Sequence, residues 1–401
     1  MKKRTSDLFY GCIMLFPIAT LFQSKLEQIN KILFACLVLF FLAILIKRIR
    51  KDRFPLFIAI LLVCVVTIFN TNGIAYNTNE YYYYPFAMVY LIFMTDNIDE
   101  VKEYILNSKG YITSILNIWT VCVFVSLFLP SSYNSVWGGG KYFGSFCQSI
   151  FRFGPTGIFI SGLAVCAMIV YDERRYFYYS ILPLFTILMG GSRTYMLVEL
   201  CAFMVAWYYF VDSKKNFYLS LIPVTVTLFA ILANSSMMDK FNSVSYTENS
   251  YFDYWGTITS GRSIFWAADI EHFRNAPFLE KVFGSGFNCV YDVNQKAFGG
   301  KVWAHNDFIQ CLVSHGILGL GIYITTVWQL LKSVRKKEAV PFICLVFLWL
   351  FNAFFNMFYT YFCSVLCLPL YVCALQYGKR RFDSDEELNA EQVQSEEKYH
   401  V

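Results

Sequence analysis

Hydrophobic residues along the chain form long continuous blocks, and short polar segments separate one block from the next. Most blocks run for about 16–22 residues, the length at which an α-helix crosses the hydrocarbon core of a bilayer. The apolar residues within a block do not alternate with polar ones, which argues against the strands of a membrane β-barrel. The pattern predicts about twelve membrane-spanning helices. They cover residues 8–24, 32–46, 54–70, 81–95, 111–130, 155–170, 177–191, 194–211, 217–234, 305–331, 339–355 and 358–376.

Two longer polar segments, 131–154 and 235–304, are predicted to be loops on one side of the membrane. Loops of this length in a compact helical protein are usually functional or disordered. The larger loop contains "GRSIFWAADIEHFRNAP" (261–277), which predicts a helix that ends at Pro277. The spacing of Arg262, Trp266, Asp269 and Phe273 would place these four side chains on one face of that helix.

Composition supports a membrane protein. Of the 401 residues, 57% are hydrophobic and only 15% are charged, whereas an average soluble domain contains about 25% charged residues. The predicted fold is therefore an all-α polytopic membrane helix bundle. Residues 1–377 form the transmembrane domain, with one large loop that carries short helices. The acidic segment 378–401 is predicted to be a disordered tail.

The placement of basic residues predicts the orientation. With the N-terminus in the cytoplasm, most of the 33 lysines and arginines fall in cytoplasmic segments, as the positive-inside rule requires. Both termini are then cytoplasmic, and the two long loops lie on the outer side. The net charge of +5 follows from this topology, so it implies no nucleic-acid partner.

Four arginines are predicted to lie on the outer side, against the general bias of the chain. Arg193 stands in "GGSRTY", Arg152 in "FRFGPTG", and Arg262 and Arg274 lie on the predicted loop helix. Each alone could extend to phospholipid headgroups. Together they suggest a shared anionic ligand, because a planar guanidinium can bind pyrophosphate with two parallel hydrogen bonds.

Two of the four histidines lie in "KVWAHNDFIQCLVSHGILGLG" (301–321). His305 and His315 are ten residues apart, about 15 Å along a helix, which is too far to bind one metal ion. His315 is expected to be buried and hydrogen-bonded. His305 is at the water boundary beside Asn306 and Asp307, where an imidazole can accept a proton from a hydroxyl. Asp307 could equally serve as a helix cap.

Other polar or glycine-rich features are less specific. Gly316, Gly319 and Gly321 would allow another helix to approach the tenth span closely. "GSG" at 284–286 is a predicted tight turn, and Glu199 is an intramembrane carboxylate whose partner the sequence does not identify. The thirteen cysteines show no spacing typical of a metal site.

Tyrosines at 81–84, "YYYY", open the fourth predicted span at its outer end. They are interpreted as an aromatic belt at the membrane surface. Stacking on a sugar is the alternative that the same residues allow.

The order of these motifs resembles the O-antigen polymerase and O-antigen ligase family of bacterial membrane glycosyltransferases. The resemblance covers about residues 190–321. It consists of "SR" at a helix junction, "GR" and Trp266 at the loop helix, "APFLEKVFGSG", and "AHNDFIQCLVSHGILG" entering a span. The remaining spans match this family in hydropathy only.

The resemblance implies an enzyme of the bacterial inner membrane that uses an undecaprenyl-pyrophosphate-linked oligosaccharide and needs no cofactor or metal. Arg193 and Arg262 would hold the pyrophosphate, with Arg152 and Arg274 as weaker candidates. His305 would position or deprotonate the acceptor hydroxyl, and Asn306 would orient the acceptor or His305. Membrane lipid, a chain-length regulator and a flippase are the expected partners.

Polymerisation of repeat units into O-antigen or capsular polysaccharide, with inversion at the anomeric carbon, is the favoured activity. A ligase that transfers finished glycan to lipid A-core or protein is the first alternative. A flippase for the lipid-linked unit is the second. It is less favoured because charges cluster at one side of the membrane and not near the midplane.

Overall fold

The computed structural model describes residues 2–135, 141–211, 213, 215–223, 261–336 and 338–378, and within them the protein is almost entirely helical. The helices are α1 (Lys2–Leu21), α2 (Glu27–Arg48), α3 (Phe54–Asn70), α4 (Glu80–Asp96), α5 (Ile98–Asn107), α6 (Lys109–Ser126), α7 (Ile150–Tyr171), α8 (Ile181–Met189), α9 (Arg193–Phe210), α10 (Arg262–Asn275), α11 (Phe278–Phe283), α12 (Cys289–Phe298), α13 (Asp307–Lys332), α14 (Ala339–Phe355) and α15 (Phe362–Tyr377). Residues 215–223 are also helical. Strands β1 (Tyr133–Asn134) and β2 (Tyr142–Phe143) form a small antiparallel hairpin.

The all-α membrane architecture predicted from hydropathy is confirmed, whereas the number of twelve spans is not. Among the described residues, five helical segments are long and apolar enough to cross a membrane. They are α2, Lys51–Asn70, α6, α7 and α13. Shorter apolar helices, including α14 and α15, complete the bundle. Most of the predicted ninth span, the part of the loop before residue 261 and the tail after residue 378 lie outside the described residues.

The last predicted span begins too early, and one helix was not predicted. The last span begins at Phe362 and not at 358, because a short 3-10 turn, Phe358–Thr360, precedes α15. Helix α5 was not predicted, because it is amphipathic and gives no continuous apolar block. It buries Ile98 and Val101 on one side and leaves its polar side exposed.

Helix α7 is the centre of the bundle. It packs against α1, α9 and α15, and its residues from Phe153 to Met168 are buried. Helices α2 and α3 lie at the periphery, where large apolar side chains such as Leu39 and Phe69 are exposed. Exposed apolar side chains on peripheral helices are what a lipid-facing surface requires.

One end of the bundle carries a set of ion pairs and is called here the ionic end. Arg53 of the turn before α3 pairs with Asp96 at 2.8 Å and also donates to Gln329 near the end of α13. Lys109 pairs with Glu173 in the same manner. These basic residues come from segments predicted to share one side of the membrane. Their assignment to the cytoplasm stays a prediction.

The other end is called the loop-helix end, because α10, α11 and α12 pack there against the first half of α13. Helix α13 is broken at Gly316, whose φ of 71° lies in the left-handed region. The break frees carbonyl groups that a continuous helix would pair. One of them, Val313 O, accepts a hydrogen bond from Ser285 N at 2.8 Å.

Two glycines allow this contact between backbones. A Cβ atom at Gly284 would lie 2.1 Å from Ser314 O, and one at Gly316 would lie 2.3 Å from Val282 O. The segment 282–286 is therefore seated directly in the break of α13, with no side chain between them. Asn70 at the end of α3 fixes the same segment by donating to Gly284 O at 2.6 Å. The contact is called here the glycine interlock.

His315 lies beside the interlock and is buried, as predicted. Its Nδ1 is 3.0 Å from Thr67 Oγ1 of α3, and its ring packs on Tyr84 of α4 at a centroid distance of 4.2 Å. The Tyr84 hydroxyl donates to Gly319 O. Tyr84 is completely buried, so the interpretation of all four tyrosines as a membrane-surface belt is wrong for this one.

The expected role of the three glycines in α13 is confirmed for two of them. Gly316 meets the segment 282–284, and a Cβ atom at Gly319 would meet the His315 side chain and Val63 of α3. Gly321 has no heavy atom near its Cβ position within 4 Å. The close approach is therefore local to the break.

This difference yields a matched pair of substitutions on one helix. Gly316→Ala should destabilise the protein by about 2 kcal/mol or more, because it adds both backbone strain and a clash. Gly321→Ala should be neutral or slightly stabilising, since alanine is the better helix former. The thermal unfolding midpoints of the two purified variants test this. Equal midpoints would contradict the interlock.

Candidate functional site

His305 occupies a strained position at the loop-helix end, immediately before α13. Its φ is +49°, a left-handed value that costs energy for a residue other than glycine. The neighbouring groups fix this conformation. Ala304 N donates to Gln310 Oε1 at 3.1 Å, and Asn306 caps α13 by accepting from the backbone N–H groups of Phe308 and Ile309. The orientation of His305 is therefore set by the start of α13.

Helix α10 brings Arg262 to His305. The face predicted from the sequence is confirmed, since Asp269 is buried and Trp266 and Phe273 pack on an apolar cluster formed with α12 and α13. Trp266 Nε1 also donates to Ala304 O at 2.5 Å. This bond ties α10 to the residue before His305, and Arg262 at the start of α10 interacts electrostatically with the His305 imidazole.

Arg193 joins the same group from α9. Two residues further along, the Tyr195 hydroxyl donates to Phe151 O at 3.1 Å. The Tyr195 ring lies where a Cβ atom of Gly154 would be, so α7 and α9 approach closely at this end. Arg193 is half-buried. Together with burial, its charge lowers the pKa of the Arg262 guanidinium, so the two side chains lie close together. Two arginines far apart in the sequence therefore interact.

Tyr361 completes the cluster, and the sequence did not predict it. It stands in the link between α14 and α15, at an edge-on contact of 6.2 Å with Tyr195. Burial raises the pKa of its hydroxyl, and the charges of Arg262 and Arg152 lower it. The apolar block 358–376 concealed this residue.

The charges at this site favour an anionic ligand. Burial and the neighbouring Arg193 lower the pKa of Arg262 to about 10, which leaves the group charged at neutral pH. Burial and Arg262 lower the pKa of His305 to about 4. Burial raises the pKa of Asp269, on the same helix as Arg262, to about 8, so this carboxyl is mostly neutral. Two adjacent guanidinium charges thus lie beside a neutral imidazole.

The remaining predicted site residues take different places. Arg274 is exposed at the last turn of α10, twelve residues and about 18 Å from Arg262 along the helix, so it is not part of the cluster. Arg152 is exposed at the start of α7 and meets the cluster only through Tyr361. The Asn306 side-chain oxygen is engaged in the helix cap. This cap lies directly after His305, and the predicted role of Asn306 in orienting the acceptor or His305 stays a prediction.

Glu199 does not belong to this cluster. It is buried within α9, where its carboxylate accepts a hydrogen bond from Ser161 of α7. Asp307 is also buried, and it accepts a hydrogen bond from Tyr323 at 2.6 Å. It anchors the first turn of α13, while Asn306 provides the cap. In the part of the chain that the structure describes, no group of three His, Cys, Asp or Glu side chains is arranged to hold a metal ion.

Residues 178–324 match the family model described as O-antigen ligase. The matched segment, less than half of the chain, is thus similar to the O-antigen ligase family. The matched segment includes Arg193, Arg262 and His305, whereas Arg152 and Tyr361 lie outside it. No curated protein matches the chain. The O-antigen ligase family match agrees with the resemblance noted in the sequence and does not distinguish a polymerase from a ligase.

The protonation state of the His305 imidazole can be measured in the protein without substrate. With 15N-labelled histidine and His305→Gln to assign the signal, the imidazole should titrate near pH 4. It should therefore be neutral from pH 5 to 8. Because its folded pKa lies below the unfolded value of about 6.5, the folded state loses stability as the pH falls from about 6.5 to about 4.

Replacing Arg262 by glutamine should move the midpoint of His305 upward, because the repulsive charge is removed. Arg274→Gln is the matched control on the same helix and should leave the midpoint unchanged. A wild-type midpoint near 6.5, or equal effects of the two substitutions, would show that Arg262 does not act on His305.

Proposed function

We propose that the protein polymerises undecaprenyl-pyrophosphate-linked oligosaccharide repeat units into O-antigen or capsular polysaccharide at the outer face of the bacterial inner membrane. The proximity of Arg193, Arg262 and His305 is the observation that carries this proposal. These residues come from α9, α10 and the start of α13, and each acts electrostatically on the next. The O-antigen ligase family match supports membrane glycan transfer as the general activity.

In the proposed reaction, Arg193 and Arg262 bind the pyrophosphate of the donor. A hydroxyl of the acceptor saccharide attacks the anomeric carbon of the donor from the face opposite the pyrophosphate, and its proton passes to His305 Nδ1 or Nε2. The new glycosidic bond forms as the bond from the anomeric carbon to the pyrophosphate oxygen breaks. Its electron pair leaves with undecaprenyl pyrophosphate, and the configuration at the anomeric carbon is inverted.

The arginines contribute most where negative charge develops. Charge accumulates on the pyrophosphate oxygens as the leaving group departs, and fixed guanidinium groups stabilise that charge in a site shielded from water. Burial and the charge of Arg262 both lower the pKa of His305, and a bound pyrophosphate offsets the second of these effects. Donor binding therefore raises the basicity of His305 at the step that needs a base.

A ligase that transfers finished glycan to lipid A-core or protein is the second candidate, since the matched family model is described as O-antigen ligase. The two activities leave different products. Deletion of a polymerase leaves single repeat units on the surface glycolipid. Deletion of a ligase leaves long chains attached to undecaprenyl pyrophosphate. A flippase would need neither a base nor a leaving-group site, so the cluster gives it little support.

Single substitutions in the deletion strain test the assignment. His305→Ala, expressed at wild-type level, should abolish chain elongation. Arg193→Lys should reduce it by about tenfold or more, because lysine cannot replace a bidentate guanidinium contact. Arg274→Ala is the control and should elongate normally. The readout is the length distribution of the polysaccharide on gels. Normal chains with His305→Ala would refute the proposed role of His305.

A further inference from the structure

A cavity of about 500 Å³ lies at the loop-helix end, beside the cluster of Arg193, Arg262 and His305. Its volume falls within the range of about 300–1,000 Å³ that small-molecule sites occupy. The walls come from the turn between α1 and α2, the start of α4, the start of α7, the segment before His305 and the link before α15. The residues that bear the proposed reaction do not account for this space.

Aromatic side chains form one wall of the cavity. Tyr83 and Trp303 have nearly parallel rings, with centroids 6.2 Å apart and 23° between the planes. Tyr82 stacks in the same manner on Phe362, at 6.0 Å and 15°. Tyr82, Tyr83 and Trp303 are only partly buried and line the cavity. Flat aromatic surfaces of this kind pack against the apolar faces of sugar rings.

Polar side chains also line the cavity. Asn30, Gln23 and Asn77 present amide groups, which can donate to and accept from sugar hydroxyls. Asn30 Oδ1 is buried and has no hydrogen-bond partner among the described residues. A buried polar atom without a partner costs free energy unless a ligand or a water molecule forms a hydrogen bond with it. Lys31 and Glu27, paired at 2.9 Å, also line the cavity.

The cavity lies close to the proposed reaction site at two points. Trp303 precedes His305 by two residues, a separation of at most about 7 Å along the chain. Tyr361 lines the cavity and interacts electrostatically with Arg262. Arg152 also lines the cavity and interacts with Tyr361. A ligand in the cavity therefore lies close to the segment that holds His305.

We infer that this cavity binds the acceptor saccharide, with sugar rings on Tyr83 and Trp303 and hydroxyls on the amide side chains that line it. The inference rests on the proposed function, because His305 is assigned to the acceptor hydroxyl there. It adds the place where the acceptor is recognised. The residues of the cavity, and not the arginine cluster, then determine which saccharide the enzyme elongates.

The methyl glycoside of the source strain's own repeat unit is a suitable probe. It has sugar hydroxyls but no pyrophosphate, so it can be an acceptor and cannot be a donor. Its binding to the full-length protein in lipid nanodiscs can be measured by titration calorimetry. Tyr83→Ala and Trp303→Ala should each weaken binding by about tenfold or more, as expected for aromatic side chains at the centre of a binding surface.

Three further variants test the specificity of that loss. Tyr83→Phe keeps the aromatic surface and should bind as the wild type does. Phe278→Ala removes an exposed aromatic residue of α11 outside the cavity and should also bind normally. Asn30→Ala should weaken binding several-fold without disturbing the aromatic wall, and it serves where the larger truncations impair folding. Unfolding midpoints verify that each variant is folded.

Kinetics separate an acceptor site from a donor site. With the natural lipid-linked donor, Tyr83→Ala should raise KM for the methyl glycoside and leave KM for the donor nearly unchanged. A rise confined to the donor would assign the cavity to the donor saccharide and overturn the inference. Wild-type affinity in folded Tyr83→Ala and Asn30→Ala, or no binding by the wild type at millimolar probe, would also overturn it.

His305→Ala distinguishes failure of this inference from failure of the proposed function. The variant should bind the methyl glycoside with wild-type affinity and form no product. Normal product formation would contradict the catalytic role of His305, whereas the binding data for the cavity variants would still decide the inference.

Discussion

The arrangement of the loop-helix end depends on one contact between two backbones, the glycine interlock of Gly284 and Gly316. Helix α13 is interrupted at a point where a continuous helix would leave no room for another segment. The freed carbonyl of Val313 accepts a hydrogen bond from Ser285 N, so the break does not leave this polar group unpaired. Because each glycine would clash with the other segment if it carried a Cβ atom, the register between the loop and α13 is fixed.

The position of His305 follows from that register. The loop helices α10, α11 and α12 pack on the half of α13 that precedes the break. Trp266 then donates a hydrogen bond to Ala304 O, and Arg262 interacts electrostatically with the imidazole of His305. Asn306 and Gln310 complete the turn that holds His305 at a positive φ. A strained residue held from several sides is typical of a preorganised site.

Sequence reasoning identified the parts of this site that depend on residue type. Hydropathy predicted the helical membrane bundle, and Arg193, Arg262 and His305 were found from charges and motifs. Helical periodicity also placed Trp266, Asp269 and Phe273 on one buried face, because that face depends only on local spacing. These features follow from short segments of the chain taken one at a time.

Features that depend on contacts between distant segments were not predicted. "GSG" at 284–286 was read as an ordinary turn, since nothing in its own sequence reveals that it is seated in α13. Tyr361 was hidden inside an apolar block, and Arg274 was grouped with Arg262 although helical rise separates them. Among the tyrosines at 81–84, Tyr84 lies in the core whereas Tyr82 and Tyr83 line the cavity, a division that only packing determines.

The central claim is that Arg193 and Arg262 together hold a pyrophosphate next to His305. A cryo-EM structure of the wild-type protein with undecaprenyl pyrophosphate in lipid nanodiscs tests it most directly. The account predicts density for the pyrophosphate within hydrogen-bond distance of both guanidinium groups, with the His305 ring facing its lipid-free side. Pyrophosphate bound elsewhere in the bundle, with Arg193 and Arg262 making no contact to it, would contradict the account.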